Sequence, residues 1–291
     1  MENDIFVDRG INADNPILVV GFGNMGSAIV SCWLSRKLIP PEAIHAVDPV
    51  FARSTPENGP RGFQSLEDWR AQNSGMTPSL IMLAVKPQMM DVVLPALRAC
   101  LKGVAEDDHI PLVSIAAGVS IARLRNDLGL QVRIVRVMPN TPSQIGHGMT
   151  GAFTDDMRAA DQDTVERLFQ ATGAFIWLDD EEDLHRITAL SGSGPAYMFA
   201  MLEGLVAAAS EIGLPPDHAR LLAVQTMRGA AELALREPKP LETLRANVTS
   251  PKGTTAAGVE ALLADDVFFE RLRMAVKAAH DRSHALEAET A

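Results

Sequence analysis

Aromatic side chains are scarce in this chain of 291 residues, at 5%, with one tyrosine, Tyr197. Aliphatic residues must therefore build most of any core. Cysteine is nearly absent. Cys32 and Cys100 are too few for a disulfide framework or a thiolate zinc site, so a reducing, cytoplasmic setting and no metal centre are expected. Positive charge is short as well: 26 Lys and Arg face 37 Asp and Glu, for a net charge of −11. A nucleic-acid partner needs a basic face and is not expected. No apolar run reaches the roughly 18 residues of a spanning helix, so no membrane segment is expected either. The opening "MENDIFVDRGINADN" lacks the basic and apolar regions of a secretory signal and reads as a polar tail over residues 1–15.

What is present changes texture near residue 180. Before it, short β-branched runs at 16–20, 44–48, 79–85, 110–115 and 132–137 alternate with helix-like stretches near 24–37, 65–73, 87–102 and 120–128. That alternation predicts βαβ units and a parallel, doubly wound α/β sheet over 16–180. Strand-like pieces at 149–154 and 174–178, around a helical stretch near 160–172, should extend the sheet at one edge. From 181 to 291 everything reads as helix. Ser193-Gly194-Pro195 looks like a capped helix start, Gly213 an end, and Pro215-Pro216 the next start. "PAYMFAMLEGLVAAASEIG" is too apolar to carry a wet face. Two readings stay open for it: a buried core helix, or a helix buried between two subunits.

"ILVVGFGNMGSAIV" places Gly21, Gly23 and Gly26 after a strand and at the mouth of a helix, with Phe22, Asn24 and Met25 between them. Such glycines permit a tight turn, close backbone approach to a pyrophosphate and close helix–strand packing. The helix N-terminus supplies N–H groups to the phosphates. Asp48 ends the second strand-like run, where a carboxylate accepts hydrogen bonds from ribose hydroxyls and repels a 2′-phosphate. The nearest arginine is Arg53. NADH is therefore favoured over NADPH. "LAVKPQ", "SIAAGVS" and "MPNTP" close later strands, and in open α/β sheets such loops line one cleft.

The stretch "NVTSPKGTTAAGVEALL" gathers Thr249, Ser250, Thr254 and Thr255 around Pro251-Lys252-Gly253, ahead of an apolar helix. It reads either as a polar loop with Thr254 or Thr255 as helix cap, or as a pocket for a substrate carboxylate. Other candidates are weaker. His280 and His284 sit four apart on a charged helix with no third ligand evident, and are expected to be solvated. His147 reads as a loop residue, Asp179 to Asp183 as a solvated acidic helix start, and Ser191-x-Ser193 lacks a nucleophile-elbow context.

Taken in order, "GFGNMG", "AVKP", "SIAAGV", "MPNTP", "LSGSGPAY" and "VTSPKGTTAAGVEAL" resemble the pyrroline-5-carboxylate reductases over residues 16–287. The resemblance implies a Rossmann-type N-terminal domain and an all-helical C-terminal domain that interlocks with a second subunit, with rings of dimers in some members. It implies reduction of the cyclic imine 1-pyrroline-5-carboxylate to L-proline with NAD(P)H, the last step of proline biosynthesis. Carried over by residue, Gly21 to Gly26 hold the pyrophosphate. Ala84, Val85, Lys86, Pro87, Ala116, Ala117 and Asn140 line the nicotinamide side. Ser250, Gly253, Thr254 and Thr255 grip the substrate carboxylate, with Thr255 as the catalytic hydroxyl near the ring nitrogen. Two residues depart from the family pattern. Lys252 stands where glycine is frequent, either strained at positive φ or adding a cation near the carboxylate. Asp48 replaces a small polar residue common in members that accept NADPH.

Three rivals are weighed against this. A β-hydroxyacid dehydrogenase needs a lysine in its second domain, yet Lys239 is the only one between residues 181 and 250. A non-catalytic NAD-binding sensor would not need the hydroxyl-rich loop. A reductase of a six-membered imine differs by one methylene, which a sequence does not separate.

Overall fold

A computed structural model describes residues 10–52, 59–103, 109–129 and 132–290. Arg53 and residues 1–9 lie outside them. Two compact units emerge, one of residues 1–192 with 279–291, the other of residues 193–278.

The first unit is built on eight strands: β1 (Ile17–Val20), β2 (Ile44–Val47), β3 (Arg61–Phe63), β4 (Leu80–Leu83), β5 (Ile110–Ser114), β6 (Val132–Met138), β7 (Gly148–Phe153) and β8 (Gly173–Trp177). They form one sheet in the order β3-β2-β1-β4-β5-β6-β7-β8. Neighbours from β3 to β6 are parallel, β7 runs antiparallel to β6, and β8 is parallel to β7. The expected edge extension is present as β7 and β8. β3, a three-residue "RGF", is an addition that no periodicity announces.

Strands covered on both faces read as continuous apolar runs, and β1, β2 and β4 are buried at every residue. Ile17 and Val19 pack into one core with Ile29, Trp33, Leu168 and Phe169. Leu18 and Val20 pack into the other with Trp69, Leu94, Leu124 and Leu128. The first core is closed by α1 (Asn24–Ser35) and α5 (Ala159–Gln170), the second by α2 (Leu66–Gln72), α3 (Met90–Cys100) and α4 (Ile121–Leu128). This is the doubly wound α/β arrangement. Ser65 and Ser120 cap α2 and α4, accepting from Asp68 N and Arg123 N at 3.1 and 3.2 Å.

Several local expectations are revised. From residue 10 the stretch expected as tail is packed: Ile11 joins the first core, and Asn12 and Asn15 exchange backbone hydrogen bonds. The unit also continues past residue 180 through α6 (Asp183–Ile187) and a π-helical turn, Thr188–Gly192, because Leu184 and His185 are buried with it. Ser193 makes no side-chain cap, since the chain entering α7 (Gly194–Glu211) is already helical.

The second unit holds α7, α8 (Pro216–Arg236), α9 (Leu241–Asn247), α10 (Thr254–Leu263) and the first part of α11 (Val267–Thr290). Gly213, at φ +93°, ends the α7 segment, and Pro216 starts α8 as expected. Burial here is slight. Gly194 alone is buried in α7 and Ala219 alone in α8. Phe199, Leu205, Ile212, Leu221 and Leu235 are exposed. The reading of α7 as a core helix within one chain is therefore lost, and this apolar surface calls for a partner. No helix among the described residues is long and apolar enough to cross a membrane.

Candidate active site

The glycine turn follows β1. Gly21 sits at φ +96°, and a Cβ there would lie 2.7 Å from the Ala84 carbonyl carbon and oxygen. A Cβ on Gly26 would lie 2.4 Å from the Gly21 carbonyl oxygen, so this glycine sets how closely α1 packs against the turn. Nothing stands near the corresponding position of Gly23, which precedes α1 without a side-chain cap. The first turn of α1 thus keeps backbone N–H groups free for an anion. Phe22 and Met25 point the other way, onto the first core.

Asp48 follows β2. Its Oδ2 accepts from Phe22 N at 2.7 Å and its Oδ1 from Val50 N at 2.9 Å. Both bonds aim the carboxylate while leaving lone pairs for hydroxyl donors. A crevice of about 440 Å³ opens at the carboxyl ends of β1, β2 and β4, bordered by Gly21, Gly23, Asp48, Ser65, Ala84 and Lys86. It lies where the strand order reverses between β1 and β4, the usual ligand position in an open α/β sheet. Val85 also borders it, and Pro87 starts a tight turn beside it.

The other expected cofactor residues sit at neighbouring strand ends. Ala116 and Ala117 follow β5, and Ala116 is buried. Asn140 follows β6. Its amide nitrogen donates to Ser191 O and Oγ at 3.2 Å each, and its oxygen accepts from Met149 N at 2.9 Å. That amide is a strut joining three segments, which its place between two prolines does not foretell.

In the second unit, Ser250 to Gly253 form a β-turn closed by Gly253 N donating to Ser250 O at 3.0 Å. Pro251 occupies the second position and Lys252 the third, at φ +58°. Of the two readings of Lys252, the one at positive φ is met. Gly253 itself has an extended φ of −83°. A Cβ there would lie 2.4 Å from Ser250 Oγ and 3.1 Å from Ser250 O, so a side chain would have to displace the serine hydroxyl. Gly253 takes the cap position of α10 with no side-chain cap, so neither Thr254 nor Thr255 caps the helix, and both are exposed. The turn thus presents Ser250, two threonine hydroxyls and uncapped N–H groups together, a set suited to a carboxylate.

One charged network escaped the sequence reading. Arg136 is buried and donates to Glu181 and Glu287 at 2.7 Å each. Glu181 also accepts from Ile121 N at 2.8 Å, so this part of the acidic run is structural rather than solvated. His185, buried, lies 2.8 Å from Ser283 Oγ and 3.0 Å from Glu287 Oε2. Burial pushes the Glu287 carboxyl up, but Arg136 and His185 outweigh it and hold it below its ordinary value. The partners lie far apart in the chain, and no local pattern marks them.

Residues 181–286 match the family model described as pyrroline-5-carboxylate reductase dimerisation. A pyrroline-5-carboxylate reductase of Haemophilus influenzae is 38% identical over 276 residues, covering 93% of this chain and 97% of that one. The chain belongs to the pyrroline-5-carboxylate reductase family. Among solved structures, a pyrroline-5-carboxylate reductase from Coxiella burnetii superposes with a TM-score of 0.81 at 33% identity, over 94% of this chain and 98% of that chain. The Plasmodium falciparum pyrroline carboxylate reductase, solved with NADP bound, gives 0.80 at 28% identity over 95% and 99%.

Proposed function

We propose that this chain reduces 1-pyrroline-5-carboxylate to L-proline, the last step of proline biosynthesis, with NADH favoured over NADPH. The observation that carries this reading is the strand-end crevice with Asp48 at its rim, in a chain alike to named reductases over nearly its whole length. The residues present fit a nicotinamide dinucleotide: Gly21 and Gly26 leave no room for side chains, while Gly23 opens the helix terminus to a pyrophosphate. When bound, the reduced nicotinamide supplies the hydride.

The chain's own work is then binding and orientation. Asp48 receives ribose hydroxyls and disfavours a 2′-phosphate. Ala84 to Pro87, Ala116, Ala117 and the Asn140 segment border the nicotinamide end. Ser250, Gly253, Thr254 and the first N–H groups of α10 hold the substrate carboxylate. The imine carbon is already electrophilic as an iminium ion, so no general base is needed, and Thr255 offers a hydroxyl to the ring nitrogen. Catalysis rests mainly on positioning and exclusion of water. Lys252, strained beside these hydroxyls, adds a cation that favours the carboxylate.

The exposed apolar faces of α7 and α8 support self-association through the C-terminal helices as a dimer, with a ring of dimers as the larger assembly. The scarcity of cysteine in the sequence is the ground for a reducing, cytoplasmic setting.

The test is loss of reduced-nicotinamide absorbance on adding 1-pyrroline-5-carboxylate, run in parallel with NADH and NADPH. Turnover with NADH favoured is the expected result. NADPH favoured removes the Asp48 argument. Turnover only with a six-membered cyclic imine removes the substrate assignment.

A further inference from the structure

The two histidines set aside as solvated have a third partner. On α11, His280 and His284 are one turn apart on the same face, and their Nε2 atoms lie 3.3 Å from each other. Glu182, nearly a hundred residues earlier, brings Oε1 to 3.0 Å from His284 Nε2. One ligand atom from each of the three residues falls within 4.8 Å of the other two. We propose that Glu182, His280 and His284 bind a divalent transition-metal ion of the zinc class. This proposal rests on no part of the reductase reading.

Distances and chemistry agree. A tetrahedral ion with bonds of about 2.0–2.1 Å to nitrogen and oxygen places its ligands about 3.3–3.4 Å apart. The His280–His284 separation already has that value, Glu182 lies 3.0 Å from His284, and all three ligand atoms fall within 4.8 Å of one another. Two imidazoles select against magnesium and calcium, which take oxygen ligands. Binding through both Nε2 atoms leaves each Nδ1 protonated, and the Asp281 carboxylate, 3.6 Å from His280 Nδ1, adds negative charge beside the cation.

The site is also braced. The His284 ring stacks on His185 with centroids 4.0 Å apart and planes 25° from parallel. His185 is itself fixed by Ser283 and Glu287. His284 therefore gives up little rotamer freedom on binding. Three protein ligands leave the fourth position to water. The ion's role is a staple that pins the end of α11 to the segment before α6, within the first unit.

The test uses tag-free, full-length protein stripped with a chelator and titrated with Zn²⁺. Bound metal per chain and Tm are measured, with Co²⁺ as a spectroscopic probe. Expected are one Zn²⁺ per chain, a rise in Tm, the intense visible bands of tetrahedral Co²⁺, and no effect of Mg²⁺. His284→Ala and Glu182→Gln should abolish uptake. If His284→Ala fails to fold, His280→Asn, whose ring lacks the His185 stack, serves instead. No uptake at micromolar Zn²⁺, or equal uptake by the His280→Asn protein, overturns the proposal.

Discussion

The backbone N–H of Phe22 donates to Asp48 Oδ2 at 2.7 Å, tying the glycine turn to the end of β2. The acid proposed to receive the cofactor ribose thus also holds the glycine turn in place. Asp48→Asn keeps an acceptor for Phe22 and removes the charge. The NADH to NADPH ratio of kcat/KM should fall by ~10- to 100-fold, the scale of a charge-assisted hydrogen bond of ~1.5–3 kcal/mol. Steady-state kinetics with both cofactors check this, and an unchanged ratio would remove Asp48 as the discriminator.

Thr255 lies exposed in the first turn of α10 and makes no cap, so its hydroxyl is not committed to starting the helix. Thr255→Val preserves shape and removes the hydroxyl. Activity should fall ~10- to 100-fold, the scale of one lost catalytic hydrogen bond. Circular dichroism and Tm should stay near those of the parent. An equal kcat/KM would exclude Thr255 from the chemistry.

Lys252 separates strain from charge. At φ +58° a left-handed non-glycine residue costs about 1–2 kcal/mol, partly offset because glycine is more flexible unfolded. Lys252→Gly should therefore stabilise the fold by up to about 1 kcal/mol in denaturant titrations. If its cation also assists the carboxylate, substrate KM rises with kcat nearly unchanged. A lower stability would show that the turn does not carry this strain.

His45 supplies a pH dependence. It is buried on β2, and Nδ1 accepts from Trp69 Nε1 at 3.0 Å. Burial, helped by the nearby Arg61 charge, pushes its pKa down to about 4. The neutral ring therefore belongs to the folded state. Its contribution is fully present above the ordinary value of 6.5 and is lost as pH falls toward 4. The loss should approach about 3 kcal/mol across that window. Asn in place of His45 keeps an acceptor for Trp69. Urea midpoints measured at both ends of the window should fall less in His45→Asn than in the parent, and equal falls would refute the assignment.

How much was legible in the sequence follows from how local each signal is. Strands β1, β2 and β4 show as short β-branched runs because they are buried on both faces. The glycine turn shows because Gly21 and Gly26 leave no room for a Cβ. The positive φ of Lys252 was one of two readings left open, and only the structure chose it. By contrast, β3 is too short for periodicity, and Asn140 gave no sign that its amide ties Ser191 to Met149.

The sequence by itself determined the alternation that makes the sheet, the crevice-forming glycines and the hydroxyl-rich turn, since each is written in neighbouring residues. Tertiary structure alone decided which acids meet which cations and rings. Arg136 with Glu181 and Glu287, and Glu182 with His280 and His284, are brought together across long stretches of chain. It also decided that the apolar helix α7 stays exposed within one chain. Hydrophobic pattern records that a face must leave water, and only the packed structure shows whether this chain or another covers it.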